Sequence, residues 1–571
     1  MNPQAFGPEP PAPDMKRLLL TVVICTAMIS LWQMFNPPVQ PQPDEAAPPA
    51  APAAAVAASD DVTASADAAD ATPLTLPERL HTVTADVAAN GTALEGVKGG
   101  YRATLSNRGA QLQGFELTGY LDSSVKEASN TPNIDLVRGM FDGGRLFAVR
   151  SRDGDVKLSA ADAYEVVEQS ESAATYRRTL ANGVVVTRRF RFEPARFAFA
   201  HEITLENKGT VPRKAVLDLV LTGAERAGER DGGGAFASQT DQLAAVCRVA
   251  GEHERFPSQE LEEQPEAMAG QVDYVGLDRH FFLATVLPDA GVATSGCVVR
   301  PWQQGQGAGA TVGLTVSLEH APVELQPGAS VTLGHTAFFG PKQLDLLQQF
   351  GGHLEENVDF GWFGVLSRPM LWVLVKLYEN LGNFGIAIIL LTLLMKLLTF
   401  PLTQKSYVSM QQMKTVAPEL KKLQQKYAND RATLGQKQMD LYKERGINPM
   451  AGCFPMLVQM PIWFALYRTL WSSVELYQQP FYGWIADLSQ PDVSPLFGWP
   501  LLPLIVGVLM LGQTLMQPPP EDQPQMKYVM WGMPIMFTFF MLQMPSGLSL
   551  YMITNSVLTM AQQGYIKRKY K

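Results

Sequence analysis

The chain has 571 residues, 46% of them hydrophobic, with 46 Lys and Arg against 55 Asp and Glu and only four cysteines. Such a length implies two or more domains, and so few cysteines exclude a disulfide scaffold. The net charge of −9 hides an asymmetry, because residues 36–360 carry 26 basic and 43 acidic side chains whereas 401–454 carry nine basic and four acidic. No sequence-specific nucleic-acid partner is expected from that balance; acidic and basic blocks on one chain point instead to opposite sides of a membrane, since Lys and Arg are retained in short cytoplasmic loops.

Residues 1–15 precede the first apolar run, "LLLTVVICTAMISLWQMF", which follows Lys16 and Arg17. Small-residue motifs lie only well downstream of it, so an uncleaved anchor over 16–35 is expected rather than a signal peptide. Residues 36–78 are rich in Pro, Ala and Asp with few large apolar groups, the composition of a disordered tether.

From 79 to 345 the pattern has period two. "GVVVTRRFRFEPARFAFAHEITLENKG" and "ATVGLTVSLEHAPVELQPGASVTLGHTAFFG" alternate apolar and polar residues and break at Gly, Pro or Asn-Lys-Gly turns. This predicts a large antiparallel sandwich on the outer side of the membrane. It holds no metal-ligand cluster, phosphate loop or nucleophile motif, although two carboxylates brought together by folding would leave no sequence signature. Cys247 and Cys297 share this domain, where an oxidising compartment would permit pairing; their spacing does not show whether their Cα atoms are close enough.

The helical part, 346–571, opens with "FGWFGVLSRPMLWVLVKLYENLGNFG". Trp362, Phe363, Leu366, Met370, Val373, Leu374 and Leu377 recur at helical spacing, predicting an amphipathic helix over 361–378 that lies in the membrane interface; a helix packed on the core of the outer domain is the alternative. Five further spans are expected near 382–400, 455–473, 497–516, 526–543 and 546–565. Six spans place both termini in the cytoplasm and 36–360 outside, with the basic loop 401–454 and the tail "IKRKYK" inside, as the charge rule requires. The loop itself predicts a helical hairpin over 404–446, broken at Asn429–Asp430 and kinked at Pro418. Its basic surface suits lipid headgroups, a partner or ribosomal RNA, or is simply a solvated face.

The second span places a lysine in hydrocarbon. Thr392, Lys396, Thr399 and Thr403 are four, three and four residues apart, within about 60° of arc on a helix. Snorkelling to the interface near Phe400–Pro401 is one reading of Lys396; a water-filled recess between helices is the other. Gln459, Trp463 and Tyr467 share one face of the third span, and Ser549, Met552, Ser556, Thr559 and Gln563 one face of the last, with Tyr551, Asn555 and Gln562 beside them. Interhelical hydrogen bonding would account for most of these polar groups but not for a lysine with no intramembrane carboxylate. Eighteen of the 24 methionines follow residue 360, a composition suited to many apolar partners or simply to a membrane. A transporter or channel with Lys396 in its path, and an anchored carbohydrate enzyme, are the rival classes.

"NFGIAIILLTLLMKLLTFPLT", "ERGINPMAGCFPMLVQMPIWFALY" and "MPSGLSLYMITNSVLTMAQQ", in this order, strongly resemble the YidC/Oxa family of membrane-protein insertases. The resemblance is specific over 360–571 and looser over 1–359, whose layout is similar to the Gram-negative form. It implies a polytopic α-helical membrane protein of six transmembrane helices with an all-β periplasmic domain, a β-supersandwich similar to sugar mutarotases, and a cytoplasmic hairpin. It implies a chaperone-like, non-enzymatic insertase without cofactor or metal. The implied partners are nascent membrane proteins, the Sec translocon, the ribosome through hairpin and tail, and the phospholipid bilayer.

The family's substrate groove, charged and open to cytoplasm and lipid, would here be lined by Lys396, Thr392, Thr399, Gln459, Trp463, Tyr467, Ser549, Tyr551, Met552, Asn555 and Ser556. Lys396 matches a position that is usually arginine in relatives, so it keeps the charge without the bidentate fork. Tyr551–Met552 stands where relatives often show two tyrosines.

Overall fold

The computed structural model describes residues 76–569 apart from 91–97, 122–131, 138–145, 227–242, 259–260, 262–263, 306–309, 428–429, 448–453, 493–499 and 517–523. The expected anchor at 16–35 and nearly all of the expected tether lie outside the described residues.

Alternating side chains build the β domain as the pleat requires: along Ala198–Asn207 buried positions alternate with half-buried ones for most of the strand. The described strands form a ten-stranded and a nine-stranded antiparallel sheet. Aromatic side chains fill the space between them. Phe115 of one sheet meets Phe339 of the other edge-on at 5.2 Å, with Phe147 and Phe199 packed around the pair, each buried ring contributing roughly 1.5–3 kcal/mol. The domain starts slightly earlier than the period-two pattern does. Glu78 accepts from Ser106 Oγ at 2.7 Å and Gln113 Nε2 at 2.6 Å, and the Pro77 carbonyl accepts from Asn107.

Cys247, in the strand Ala244–Val249, is disulfide-bonded to Cys297, in the strand Thr294–Gln304, with Cα atoms 6.3 Å apart. The bond joins the two sheets across a sequence separation of 50 residues. Cys297→Ser is therefore expected to lower the unfolding free energy of the domain by about 4 kcal/mol from loop entropy. Thermal unfolding with and without reductant checks this: the shift on reduction should disappear in the variant.

After the last strand, Ser330–Pro341, helix α1 (Leu344–Phe350) and a 3₁₀ turn (Leu354–Asn357) are sewn to the β domain. Lys342 Nζ lies 2.8 Å from Asp278, and Asn357 donates to the Tyr274 hydroxyl at 3.1 Å. Helix α2 (Gly364–Leu381) follows. It buries Ser367, Met370, Leu371 and Leu374 and leaves Trp362, just before it, and Val365, Leu366 and Trp372 exposed, so two apolar faces are present where the spacing predicted one. Gly382, at φ 66°, closes α2 in the left-handed conformation that a glycine adopts without strain. Asn383 then opens the next helix by accepting from the Ile386 amide.

That helix, α3 (Phe384–Lys426), is continuous for 43 residues through Pro401 and Pro418. The expected boundary between span and hairpin at Phe400–Pro401 is not a break. Pro401 has no N–H to give, which frees the Leu397 carbonyl; the Thr399 and Thr403 hydroxyls bond other carbonyls of the same helix, those of Met395 and Thr399, at 2.9 and 3.0 Å. Helix α4 (Arg431–Glu444) folds back so that Arg445 reaches Glu419 at 2.5 Å, giving the helical hairpin.

The remaining helices are α5 (Phe454–Ser472), α6 (Leu501–Met516), α7 (Pro524–Met541) and α8 (Ser546–Lys569). Among the described residues one stretch, Phe384–Ser409, is long and apolar enough by itself to cross a membrane; Leu501–Met516 and Trp531–Met541 are shorter apolar helices. The start of α3 lies against Phe481, and the end of α5 and the starts of α6 and α8 are bonded to residues between 473 and 492. The segment 473–492 ties them: Asp492 accepts from the Leu502 amide at 2.6 Å, and Ser546 Oγ donates to the Asp487 and Gln490 carbonyls. The Asp492 side chain thus fastens the start of α6, and the Asp487 backbone carbonyl the start of α8. Tyr477 plugs the seam, with its ring 5.1 Å from Phe281 and 5.6 Å from Phe282 and its hydroxyl donating to the Leu121 carbonyl.

Candidate functional site

The helical bundle is apolar at one end and polar at the other. Near the β domain, Ile388 and Leu391 of α3, Ala465 and Leu466 of α5, Val506 of α6 and Leu548 and Tyr551 of α8 pack into one buried cluster. One to two turns further along, α8 still lies against α3, while α5 meets α3 and α8 only at a few points. Polar side chains occupy that half.

Lys396 projects from α3 toward α8. Its Nζ donates to Thr559 Oγ1 at 2.7 Å and Asn555 Oδ1 at 3.3 Å. Both partners are neutral, and among the described residues Lys396 forms no ion pair. About two turns further along α3, Gln562 Nε2 donates to Thr403 Oγ1 at 2.8 Å, so α3 and α8 are pinned by polar contacts along the same seam. On the other wall Gln459 Nε2 of α5 donates to the Tyr551 hydroxyl at 2.9 Å.

The structure divides the residues singled out from sequence into three groups. Lys396 and Asn555 are brought together, as are Gln459 and Tyr551. Trp463 and Tyr467 stack along α5 with ring centroids 6.1 Å apart, and Trp463 also faces Phe537 and Phe540 of α7. Thr392, Thr399, Ser549 and Ser556 are not drawn to the lysine. Thr392 is 2% exposed with its hydroxyl donated to the Ile388 carbonyl, and Thr399 likewise bonds its own helix. Ser549 and Ser556 face the packed side of α8, where the Ser556 carbonyl accepts from Gln513 of α6. Met552 is half-buried between these groups. Thr559 makes the shorter contact to Lys396 and was not singled out for the groove; its place seven residues from Met552, on the same face, was the available signal.

Among the described residues, Trp463 Nε1, Ser549 Oγ and Gln562 Oε1 lie inside the bundle, buried without a protein partner. Buried polar groups are rarely left unpaired, and water is the usual partner where the protein offers none. With a cation held by neutral groups, they make this half of the bundle polar in an apolar surround. Its outward-facing neighbours Leu393, Leu394, Leu397 and Leu398 on α3 are exposed hydrocarbon.

Residues 376–571 match a family model described as the 60Kd inner membrane protein, and residues 98–373 match one described as the YidC periplasmic domain. A membrane protein insertase YidC from Pelobacter propionicus is 30% identical over 568 residues, covering 97% of this chain and 99% of the relative. Another from Anaeromyxobacter dehalogenans is 34% identical over 567 residues, covering 96% of each. A crystal structure of an active YidC insertase with its first transmembrane domain resolved aligns over 84% of this chain and 94% of that one, at 17% identity and a TM-score of 0.35.

Proposed function

The chain belongs to the YidC family and is a membrane protein insertase of the inner membrane with a periplasmic β domain, and on that premise we propose how its clients pass. The polar half of the bundle receives the hydrophilic flank of a nascent membrane protein from the cytoplasm, while the client's apolar segment moves sideways into lipid. Lys396 supplies the charge that attracts acidic residues in that flank, and Asn555 and Thr559 hold its ammonium in place. A hydrated recess shortens the hydrocarbon path that the flank must cross. Burial of about 20 apolar residues in lipid is itself downhill, so no nucleotide is needed.

The observation that carries this reading is a half-buried lysine among helices that has, among the described residues, only neutral partners, because a cation without a counter-charge needs water. Six spans with cytoplasmic termini are part of the proposal. They are supported by the meeting of the end of α5 with the starts of α6 and α8 at the segment 473–492, and by exposed apolar side chains such as Val508, Met536 and Phe539. Delivery by the ribosome, or by way of the Sec translocon, completes it; the exposed Lys421, Lys422, Lys426, Lys437 and Lys443 of the hairpin give the basic surface that RNA would need.

Accessibility tests the recess directly. In a variant with Lys396→Cys and serine at 25 and 453, a polar, membrane-impermeant maleimide added to inverted membrane vesicles is expected to label position 396. Labelling at the level of a lipid-facing control such as Leu397→Cys would remove the basis for the groove.

A further inference from the structure

A cleft of about 690 Å³ lies away from the bundle's polar half, where the β domain, the linker before α2 and the end of α5 meet. Its walls carry charge in a definite arrangement. Asp278 is paired with both Arg255 and Lys342, at 2.9 and 2.8 Å, Glu356 with Arg248, and Asp359 with Arg468 at 3.3 Å. Each of these carboxylates therefore has a cation, and Arg368, on the same wall as Arg468, is left without an acidic partner among the described residues. The cleft thus has a surplus of positive charge.

Its mouth is apolar. Trp362 is 96% exposed and Val365 86% exposed, and Trp372 continues the stripe two turns along α2. A tryptophan fully in the open, flanked by an unpaired arginine, suits one kind of occupant: a molecule with an anionic head for the cleft and hydrocarbon to lie along α2. A soluble anion would use the arginines but not the indole, and an apolar peptide would use the indole but not the arginines.

We propose that this cleft binds the headgroup of an anionic phospholipid from the membrane leaflet on the β-domain side, with its acyl chains against Trp362, Val365 and Trp372. A zwitterionic headgroup fits less well, since its own cation would enter a cleft already in positive excess. The choice of leaflet rests on the six-span reading, but lipid retention does not depend on insertion activity, so the two can fail separately. Occupied, the site would fix the depth of α2 and thereby of the junction between β domain and bundle.

The purified full-length chain, titrated with phosphatidylglycerol or phosphatidylcholine and examined by native mass spectrometry, tests this. Phosphatidylglycerol is expected to be retained preferentially. Arg368→Gln should weaken that retention about fivefold, the usual effect of one basic side chain at an anionic lipid surface. Trp362→Ser should weaken retention of both lipids, and Arg568→Gln, on the exposed tail of α8, should change neither. Equal retention of the two lipids by the wild-type chain would overturn the proposal. So would an unchanged Arg368→Gln variant, an equal loss in Arg568→Gln, or complete release of phosphatidylglycerol by inorganic phosphate alone, which would mark an anion site and not a lipid site.

Discussion

Lys396→Glu is expected to abolish insertion of clients whose translocated segments are acidic, while Lys396→Arg keeps most of it. The two variants separate charge from packing. Lys396 is held by Asn555 Oδ1 and Thr559 Oγ1, and both partners can reverse roles, since an amide can present its NH₂ and a hydroxyl its proton. A glutamate there would still find hydrogen bonds, so the bundle should keep its fold and its level in the membrane. What reverses is the field in the recess. At about 6 Å and an effective dielectric of about 20, one client carboxylate gains roughly 2–3 kcal/mol from the ammonium and loses as much beside a carboxylate. That is on the order of a hundredfold in occupancy for each sign. Lys396→Met, with no charge, should fall between the two. Protease protection of a pulse-labelled client, read beside complementation of a depleted strain, measures the order. Lys396→Glu performing as well as Lys396→Arg would eliminate the attraction as a step in insertion.

The polar stripe that exposed this lysine was legible in the sequence, but its meaning was not uniform. Thr392, Lys396, Thr399 and Thr403 do share a side of α3, yet the hydroxyls of Thr392 and Thr399 are spent on carbonyls four residues back. Threonine can satisfy itself within its own helix, so its presence on a face does not demand a wet neighbour. A lysine is too long and too highly charged for that, and it crosses to α8. The same limit applies to Pro401: the missing N–H gives the rule that proline interrupts a helix, but not the packing against α8 along which α3 runs on.

Strand alternation made the β domain readable, because strands such as Val184–Glu193 and Ala198–Asn207 carry their own pattern. The disulfide was not readable, because its cysteines lie on strands of different sheets and no local pattern sets their distance. Interfaces were hidden for a related reason. Tyr477 looks like any residue of a short connecting loop, and only the assembled structure shows it seated between Phe281, Phe282 and the Leu121 carbonyl. Trp362 and Leu366 show the converse: the periodicity of α2 marked them as apolar, yet they face outward while another stripe of the same helix is buried.

The second large effect should appear in the β domain on acidification. Scattered singly in the sequence, His201, His320 and His335 converge in its core, all fully buried. His320 and His335 meet Nε2 to Nε2 at 2.8 Å, His320 Nδ1 lies 3.0 Å from the Leu217 carbonyl, and the buried Arg188 guanidinium reaches His201 at 3.0 Å. Burial, with the Arg152 charge adding to it, pushes His320 down to about 4. Burial and the Arg188 guanidinium hold His201 well below the usual imidazole range, and burial beside His320 does the same for His335. The unfolded chain takes up these protons near pH 6.5 and the folded domain does not. Stability is therefore complete above about pH 6.5 and is lost as pH falls toward 4. His320 alone accounts for about 3 kcal/mol of that loss at pH 4. In the full chain, hydrogen exchange of the strands Ala198–Asn207 and Ser330–Pro341, corrected for intrinsic rate, should accelerate over this window. His320→Gln should start from a lower stability at pH 7 but fall less steeply. An identical slope in wild type and variant would place the acid sensitivity elsewhere, among the carboxylates. Because a periplasmic domain meets external pH before the cytoplasm does, acid should loosen this core before it reaches the cytoplasmic side of the bundle.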